Sequence, residues 1–375
     1  DNCCIGGWEI DIDDETYERY NNMTGELKHK ILDSITQNED EEYCFKLCDG
    51  KCPMLDDNGL CEIHKNLGED YLGVVCKQFP RYSEYYGTIK ESGIGLACEE
   101  AARIILSENR PFSMETAACD EEYEPSSEYD SSFALQIFAA REAVFKILAK
   151  ESLSIHEKLI VILDMGSKIQ QCINTDEYDN IKSVVNDYLK EGIAHTLDET
   201  RNLSDSGQFE DISLQQGIRQ ILYPYEEMEV LNPEWEVILK DIIDSLFEQM
   251  SDEEYNILNE EFGTYMVSRA YEYRQLLEYL VFRYFAKSIY DYDFLGKCQM
   301  LVTNFFVIRQ MDIIRWLDNH REYSFKDRMD VVHIFSRQVE YSEDNIENLY
   351  EDFIFDDIFK TDSLIAILWI DSENI

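Results

Sequence analysis

Long apolar runs and basic residues are both scarce in this 375-residue chain. No stretch of about 18 apolar residues occurs, which excludes an ordinary membrane-spanning helix. Only 33 Lys and Arg stand against 78 Asp and Glu, so the net charge is -45. A field of this sign repels nucleic acid and anionic membranes, and we expect neither as a partner. Because nothing at the start resembles a signal peptide, we expect a cytoplasmic protein.

The common nucleotide-binding motifs are also missing. No G-x-G-x-x-G follows a strand and no G-x-x-x-x-G-K-[ST] occurs, which argues against Rossmann and P-loop sites. The stretch "CFKLCDGKC" (44–52) has the spacing C-x3-C-x3-C, one residue longer than the radical SAM motif. Apart from residues 7–13, alternating strand patterns are scarce, so the strand–helix rhythm of a radical SAM barrel is absent. We therefore do not expect a radical SAM enzyme.

Cysteine, in contrast, is plentiful and unevenly placed. Eight of the 11 cysteines lie in the first 98 residues. In a chain with no recognisable secretion signal, so dense a cluster in one segment indicates metal binding before disulfides. The six candidate ligands for a site that needs four are Cys3, Cys4, Cys52, Cys61, Cys76 and Cys98.

Local sequence explains how some of these thiols reach one centre. Cys52 and Cys61 flank a predicted tight turn at 56–59, "DDNG". Cys98 precedes a predicted helix, whose amide dipoles stabilise a thiolate. His64 is a weaker candidate, since lone histidines are usually surface or core residues. Soft thiolates with few histidines nearby select an iron–sulfur cluster or zinc, and the spacing leaves both open.

The pattern beyond the cysteines predicts a mainly α protein. We expect an irregular, Cys-rich metal-binding module at 1–107, a linker at 108–132 and a helical domain at 133–375, with the module packed on a helical bundle. Apolar residues at helical spacing predict these helices: 13–35, 99–107, 133–150, 154–173, 233–250, 273–290, 298–317, 324–342 and 343–359.

Several motifs resemble those of one family. "CPMLDDNGLCEIHKNLGEDYL" (52–72), "CKQFPRY" (76–82) and "ACEEAARIIL" (97–106) are similar to the Cys-rich motifs of the flagellin lysine-N-methylases. "CCIGGWEIDIDDETYERY" (3–20) resembles the start of that family, and "FSRQVEYSEDNIENL" (335–349) its far end. The Cys-rich part also resembles the broader zinc- or iron-chelating domain proteins.

The resemblance implies S-adenosylmethionine-dependent methylation of lysine ε-amines on flagellin by a protein with a [4Fe–4S] cluster, zinc being the alternative metal. Arginines suit the methyl donor's carboxylate and aromatic rings its sulfonium. The residues expected at the donor are Arg81, Arg103, Trp8 and Tyr17. The lysine must arrive neutral, and Glu99 or Glu91 is expected to accept its proton.

A rival hypothesis is a non-catalytic zinc or iron module fused to a helical protein-interaction domain. An iron–sulfur accessory protein and a methylase for another protein are further alternatives. Colour separates some of them, because an iron–sulfur protein is brown and a zinc protein is colourless.

Overall fold

The computed structural model describes residues 4–8, 10–38, 41–118, 130–205 and 212–373, and it is mainly α-helical as the sequence predicts. The first part contains α1 (Asp14–Asn22), α2 (Glu26–Asp33), β1 (Ile35–Gln37), β2 (Tyr43–Phe45), α3 (Glu62–Leu67), α4 (Val74–Gln78), β3 (Arg81–Tyr86), β4 (Ile89–Ile94) and α5 (Glu99–Leu106). Strands β1 and β2 pair antiparallel, as do β3 and β4.

The remaining elements are all helices. They are α6 (Ser131–Leu148), α7 (Ile155–Asn174), α8 (Ile181–Asp187), α9 (Ile193–Asp205), α10 (Leu214–Glu226), α11 (Pro233–Ile242), α12 (Asp252–Met266), α13 (Ala270–Tyr284), α14 (Ser288–Asp291), α15 (Phe294–Asp318), α16 (Phe325–Val339), α17 (Glu343–Phe355) and α18 (Thr361–Glu373). In the part of the chain that the structure describes, none is long and apolar enough to cross a bilayer.

The region predicted as one helix at 13–35 is two helices. Asp13 caps α1 as expected, its side chain accepting from the Thr16 amide at 2.9 Å. The helix ends because Met23 is extended, and α2 starts only after Gly25, whose φ of 113° a side chain would disfavour. In the segment predicted as a strand, 7–13, the β-pairing seen among the described residues is a single antiparallel bridge between Asp11 and Cys44.

Two apolar cores divide the described chain. The smaller core lies within residues 10–63 and contains Tyr20, Ile31 and Met54. The larger core includes the helical part and also Tyr86 of β3 and Leu106 of α5. The hairpin β3–β4 and α5 therefore pack with the bundle. The predicted division at 108–132 stays a prediction, and residues 119–129 of that linker lie outside the described residues.

Helix α15 forms the centre of the larger core, and its charged residues are paired there. Asp312 accepts a hydrogen bond from Tyr273 at 2.5 Å and an ion pair from Arg328 at 2.6 Å. Arg328 also contacts Glu272 at 3.0 Å. Since a buried charge without a partner is costly, these pairs fix how α13, α15 and α16 sit together.

A second buried network ties the last helix to the bundle. The Asp371 carboxylate lies 2.6 Å from His156 Nε2, accepts from Asn259 at 2.5 Å and lies 4.0 Å from Arg309. Burial raises the pKa of Asp371, but the charge of Arg309 and the bonds from His156 and Asn259 outweigh it and lower the pKa to about 2.

Acid should destabilise the protein through Asp371. A carboxyl whose pKa is lowered by folding stabilises above its ordinary pKa of 3.8, and this contribution is lost as pH falls through about 2. Asp371→Asn should reduce the free energy of unfolding by about 2 kcal/mol at pH 7 and by much less near pH 2. Chemical unfolding at both pH values measures this, with the exposed Asp362→Asn on the same helix as control. An equal loss at both pH values would contradict the assignment.

Candidate functional site

Four thiols of the N-terminal part line one cavity of about 500 Å³. They belong to Cys4, Cys52, Cys61 and Cys76. The other walls are mostly apolar or aromatic and come from both parts of the chain; they include Ile10, Phe45, Met54, Leu72, Phe79, Leu231 and Tyr341. Sulfur ligands in an apolar enclosure are the surroundings that suit a thiolate-bound metal group.

The turn predicted at 56–59 is present and brings two of the thiols together. The Asp56 carboxylate accepts from the amides of Asn58 at 2.9 Å and Leu60 at 3.0 Å, and Gly59 takes a positive φ of 75°. The Leu55 amide donates to the backbone carbonyl of Cys52, and Leu55 also forms a β-bridge with Cys61. Cys52 and Cys61, which are nine residues apart in the sequence, are thus close in space.

Long-range backbone contacts bring in the other two thiols. The Cys52 amide donates to the carbonyl of Cys4 at 2.7 Å, which holds the first residues beside the turn. Cys76 lies on α4, whose first amide, that of Val74, donates to the Asp13 side chain at 3.1 Å. The residue that caps α1 therefore also positions the helix carrying Cys76.

The thiols face one another closely enough to interact. A hydrogen bond from the Cys4 thiol lowers the pKa of Cys52, against burial, which raises it. Within the described ranges, however, no three Cys, His, Asp or Glu side chains lie close enough to hold a single metal ion.

The other candidate ligands are Cys98, His64 and Cys3. Cys98 is not on the wall of this cavity; it is the N-cap residue of α5, as the sequence suggests. His64 does line the cavity. Cys3 lies outside the described residues.

Three aromatic rings close the cavity where the two parts of the chain meet. Trp8 packs against Phe79 and Tyr341, with ring centroids 5.4 and 5.6 Å apart. The guanidinium of Arg337 lies over the other side of the Trp8 ring, 4.7 Å from its centroid. Trp8 thus lies on the wall of the thiol cavity, and its contact with a methyl donor stays a prediction.

A buried ion pair lies behind Tyr341. Arg283 Nε is 3.3 Å from the carboxylate of Glu340, which also accepts from the hydroxyls of Tyr279 at 2.9 Å and Tyr284 at 3.0 Å. Burial raises the pKa of both tyrosines well above the usual value despite the nearby Arg283, so both stay protonated and donate. Arg283 also faces the Tyr341 ring at 5.5 Å, which ties this pair to the cavity wall.

The remaining residues expected at the donor are not on the cavity wall. Arg103 pairs with its neighbour Glu100 at 2.6 Å on the surface. Arg81 is exposed and reaches only the carbonyl of Lys77, at 3.5 Å. Tyr17 stacks on Tyr43 with centroids 3.7 Å apart.

The two glutamates expected as bases are also separate. Glu91 forms a two-point ion pair with Arg141 at 2.5 and 2.6 Å, on the hairpin face away from the thiols. Glu99 begins α5 and lines a different cleft, next to Arg337. The two candidates thus occupy different surroundings.

Sequence reasoning missed Arg283, Glu340 and Arg337. All three lie on or next to predicted helices, and a single sequence carries no signal that a helical charge is buried. The one available hint was the stretch "RQVEY" (337–341), which places two charges and an aromatic ring within five residues.

A family model decides what this chain is related to. The model of the FliB lysine N-methylase C-terminal domain matches residues 141–367, more than half of the chain. The chain belongs to this family. The match covers the bundle that supplies Arg283, Arg337, Glu340 and Tyr341 to the walls described above.

Curated relatives match over a shorter part. A lysine-N-methylase of Salmonella typhimurium is 32% identical over 114 residues, which are 29% of this chain and 28% of the relative. The flagellar biosynthetic protein FliU of Salmonella muenchen is 32% identical over 114 residues, 67% of its length. The chain thus covers less than a third of the lysine-N-methylase in this alignment. No solved structure matches the chain significantly.

The contact between Gly95 and Tyr341 gives a test of this FliB-family site. A Cβ at Gly95 would lie 2.6 Å from the Tyr341 hydroxyl and 3.2 Å from Arg283, so Gly95→Ala must displace the ring. We expect a loss of about 1–3 kcal/mol in the free energy of unfolding. Tyr341→Phe removes the clashing oxygen, and the double variant should regain most of the loss in a denaturant titration. Additive losses in the double variant would contradict this packing.

Proposed function

We propose that this member of the FliB family is a protein lysine N-methyltransferase that uses S-adenosylmethionine, acts on flagellin and holds a [4Fe–4S] cluster. The observation that carries the proposal is the four-thiol cavity, to whose wall the region matched by the family model contributes Leu231 and Tyr341. The names of the relatives, a lysine-N-methylase and a flagellar protein, support the reaction and the substrate.

The size of the cavity favours a cluster over zinc. Four thiolates around one zinc lie roughly 3.8 Å apart, because each Zn–S bond is about 2.3 Å and the geometry is tetrahedral. No such close group occurs among the described residues. Four cysteines around a cavity of about 500 Å³ instead suit the larger group. Cys4, Cys52, Cys61 and Cys76 would hold it and so tie the irregular segments together.

Methyl transfer requires a lysine whose ε-amine is neutral. The ε-nitrogen forms a bond to the methyl carbon as the bond from that carbon to sulfur breaks, and S-adenosylhomocysteine leaves. The ammonium proton must first pass to a base. We retain Glu99, which lines the same cleft as Arg337, as the base.

The acidic surface fits a lysine-bearing substrate. A net charge of -45 raises the local concentration of cationic side chains and speeds their encounter at low salt. We propose that this happens in the cytoplasm, before flagellin leaves the cell.

Serine variants separate the cavity thiols from the rest. Cys4→Ser, Cys52→Ser, Cys61→Ser and Cys76→Ser should each lose most of the bound iron and the absorbance near 400 nm, since a serine is a harder, poorer ligand. Anaerobic reconstitution followed by iron and sulfide analysis measures this, with about four irons per wild-type chain expected. The exposed Cys48→Ser is the matched control. A colourless wild type with one zinc would contradict the cluster.

Methyl transfer is tested directly with flagellin from the same source. Incubation with labelled S-adenosylmethionine should produce methyl-lysine, seen by mass spectrometry of flagellin peptides. Glu99→Gln should lower the rate by about 100-fold or more without lowering the iron content, because it removes the proton acceptor and keeps the shape. Methylation that is equally fast in Glu99→Gln rules out Glu99 as the base, and no methyl-lysine with the wild type rules out the proposed function.

A further inference from the structure

A second cleft, of about 490 Å³, lies on the other side of residues 5–7 from the thiol cavity. Its walls come from this N-terminal segment, from the start of α5, from the start of α11 and from α16. Unlike the thiol cavity, it is lined by charged and polar side chains. The ones that matter here are Asn232, Glu234, Arg315, Asp330 and Arg337.

Two donors in this cleft lack an acceptor among the described residues. Arg337 is 7% exposed and Asn232 4% exposed, yet in the part of the chain that the structure describes Arg337 Nε and Asn232 Nδ2 have no hydrogen-bond partner. Their other atoms are engaged: Arg337 donates to the Gly6 carbonyl, and Asn232 Oδ1 accepts from the Glu234 amide at 3.2 Å. Buried donors are normally satisfied, so two on one cleft wall indicate a ligand that offers acceptors.

The charged side chains of the cleft indicate which charged groups that ligand carries. Arg315 lies 4.0 Å from Asp330, which also pairs with Lys326 at 2.7 Å. Arg337 is thus the one buried cation of this cleft wall, while Glu234 and Asp49 add negative charge at the rim. A group with one carboxylate and one ammonium matches a donor pair beside acidic side chains.

We propose that this cleft binds the amino-acid end of S-adenosylmethionine. The carboxylate accepts from Arg337 Nε and Asn232 Nδ2, and the ammonium faces Glu234. A lysine within flagellin has no free carboxylate, so the methyl donor is the reactant that carries this pair of charges. The inference rests on the proposed function, and it assigns to Arg337 the carboxylate contact for which the sequence offered Arg81 and Arg103.

The test compares two ligands on the full chain purified with its metal group. S-adenosylmethionine and its decarboxylated analogue differ only in the carboxylate. Wild type should bind S-adenosylmethionine at least about tenfold more tightly, as a hydrogen bond to a charged group contributes 1.5–3 kcal/mol. Asn232→Asp keeps the cap of α11 but replaces the donor by a like charge. It should weaken S-adenosylmethionine binding about tenfold or more and leave the decarboxylated analogue nearly unchanged.

Isothermal titration calorimetry measures both affinities, with thermal unfolding as a check that the variant is folded. Asn174→Asp is the matched control, because it makes the same charge change at the exposed last residue of α7 and keeps the acceptor for Gln170. If wild type and Asn232→Asp bind S-adenosylmethionine equally, the cleft assignment is overturned while the proposed function stands. If wild type binds neither ligand, the proposed donor and the cleft assignment both fail.

Discussion

The contact of Arg337 with the first residues of the described chain determines both candidate sites. Its guanidinium covers the Trp8 ring at 4.7 Å and donates to the carbonyl of Gly6, so a side chain of α16 holds residues 4–8 in place. Cys4 and Trp8 line the thiol cavity, whereas Gly6 and Gly7 line the polar cleft. One planar cation, able to stack and donate at once, therefore fixes the wall between the two, and a lysine would not replace it.

This arrangement buries charged side chains, and ion-pair or hydrogen-bond partners offset the energetic cost of burying them. Six basic and five acidic side chains are buried among the described residues, although the whole sequence has 33 basic and 78 acidic ones. The buried fraction is thus much larger for basic than for acidic side chains. Most are held by carboxylates or amides, as Arg328 is by Asp312 and Arg309 by Asn259. The outer surface remains strongly acidic, and its long-range field has the sign that attracts cationic groups.

Local signals predicted much of the fold and part of the site. The long helices follow from apolar periodicity, the start of α1 from Asp13, and the approach of Cys52 to Cys61 from the turn at 56–59. The packing of β3–β4 on the larger core was not predictable, because it depends on contacts far apart in sequence. The same holds for charged side chains. Arg103 pairs with Glu100 three residues away, whereas Arg283 is buried against Glu340, and nothing in a single sequence separates the two cases.

The chemical difference between the two cavities suggests a division of work within one site. The thiol cavity has mostly apolar walls, which would shield a bound metal group from water; the cleft has charged walls, which would suit the zwitterion proposed above. They share residues 4–8, so neither wall moves alone. If binding at the thiols displaces Cys4, we expect the shift to reach Trp8 and the guanidinium stacked on that ring. Because Arg337 also lines the cleft, such a shift would couple the two cavities without a contact between their occupants.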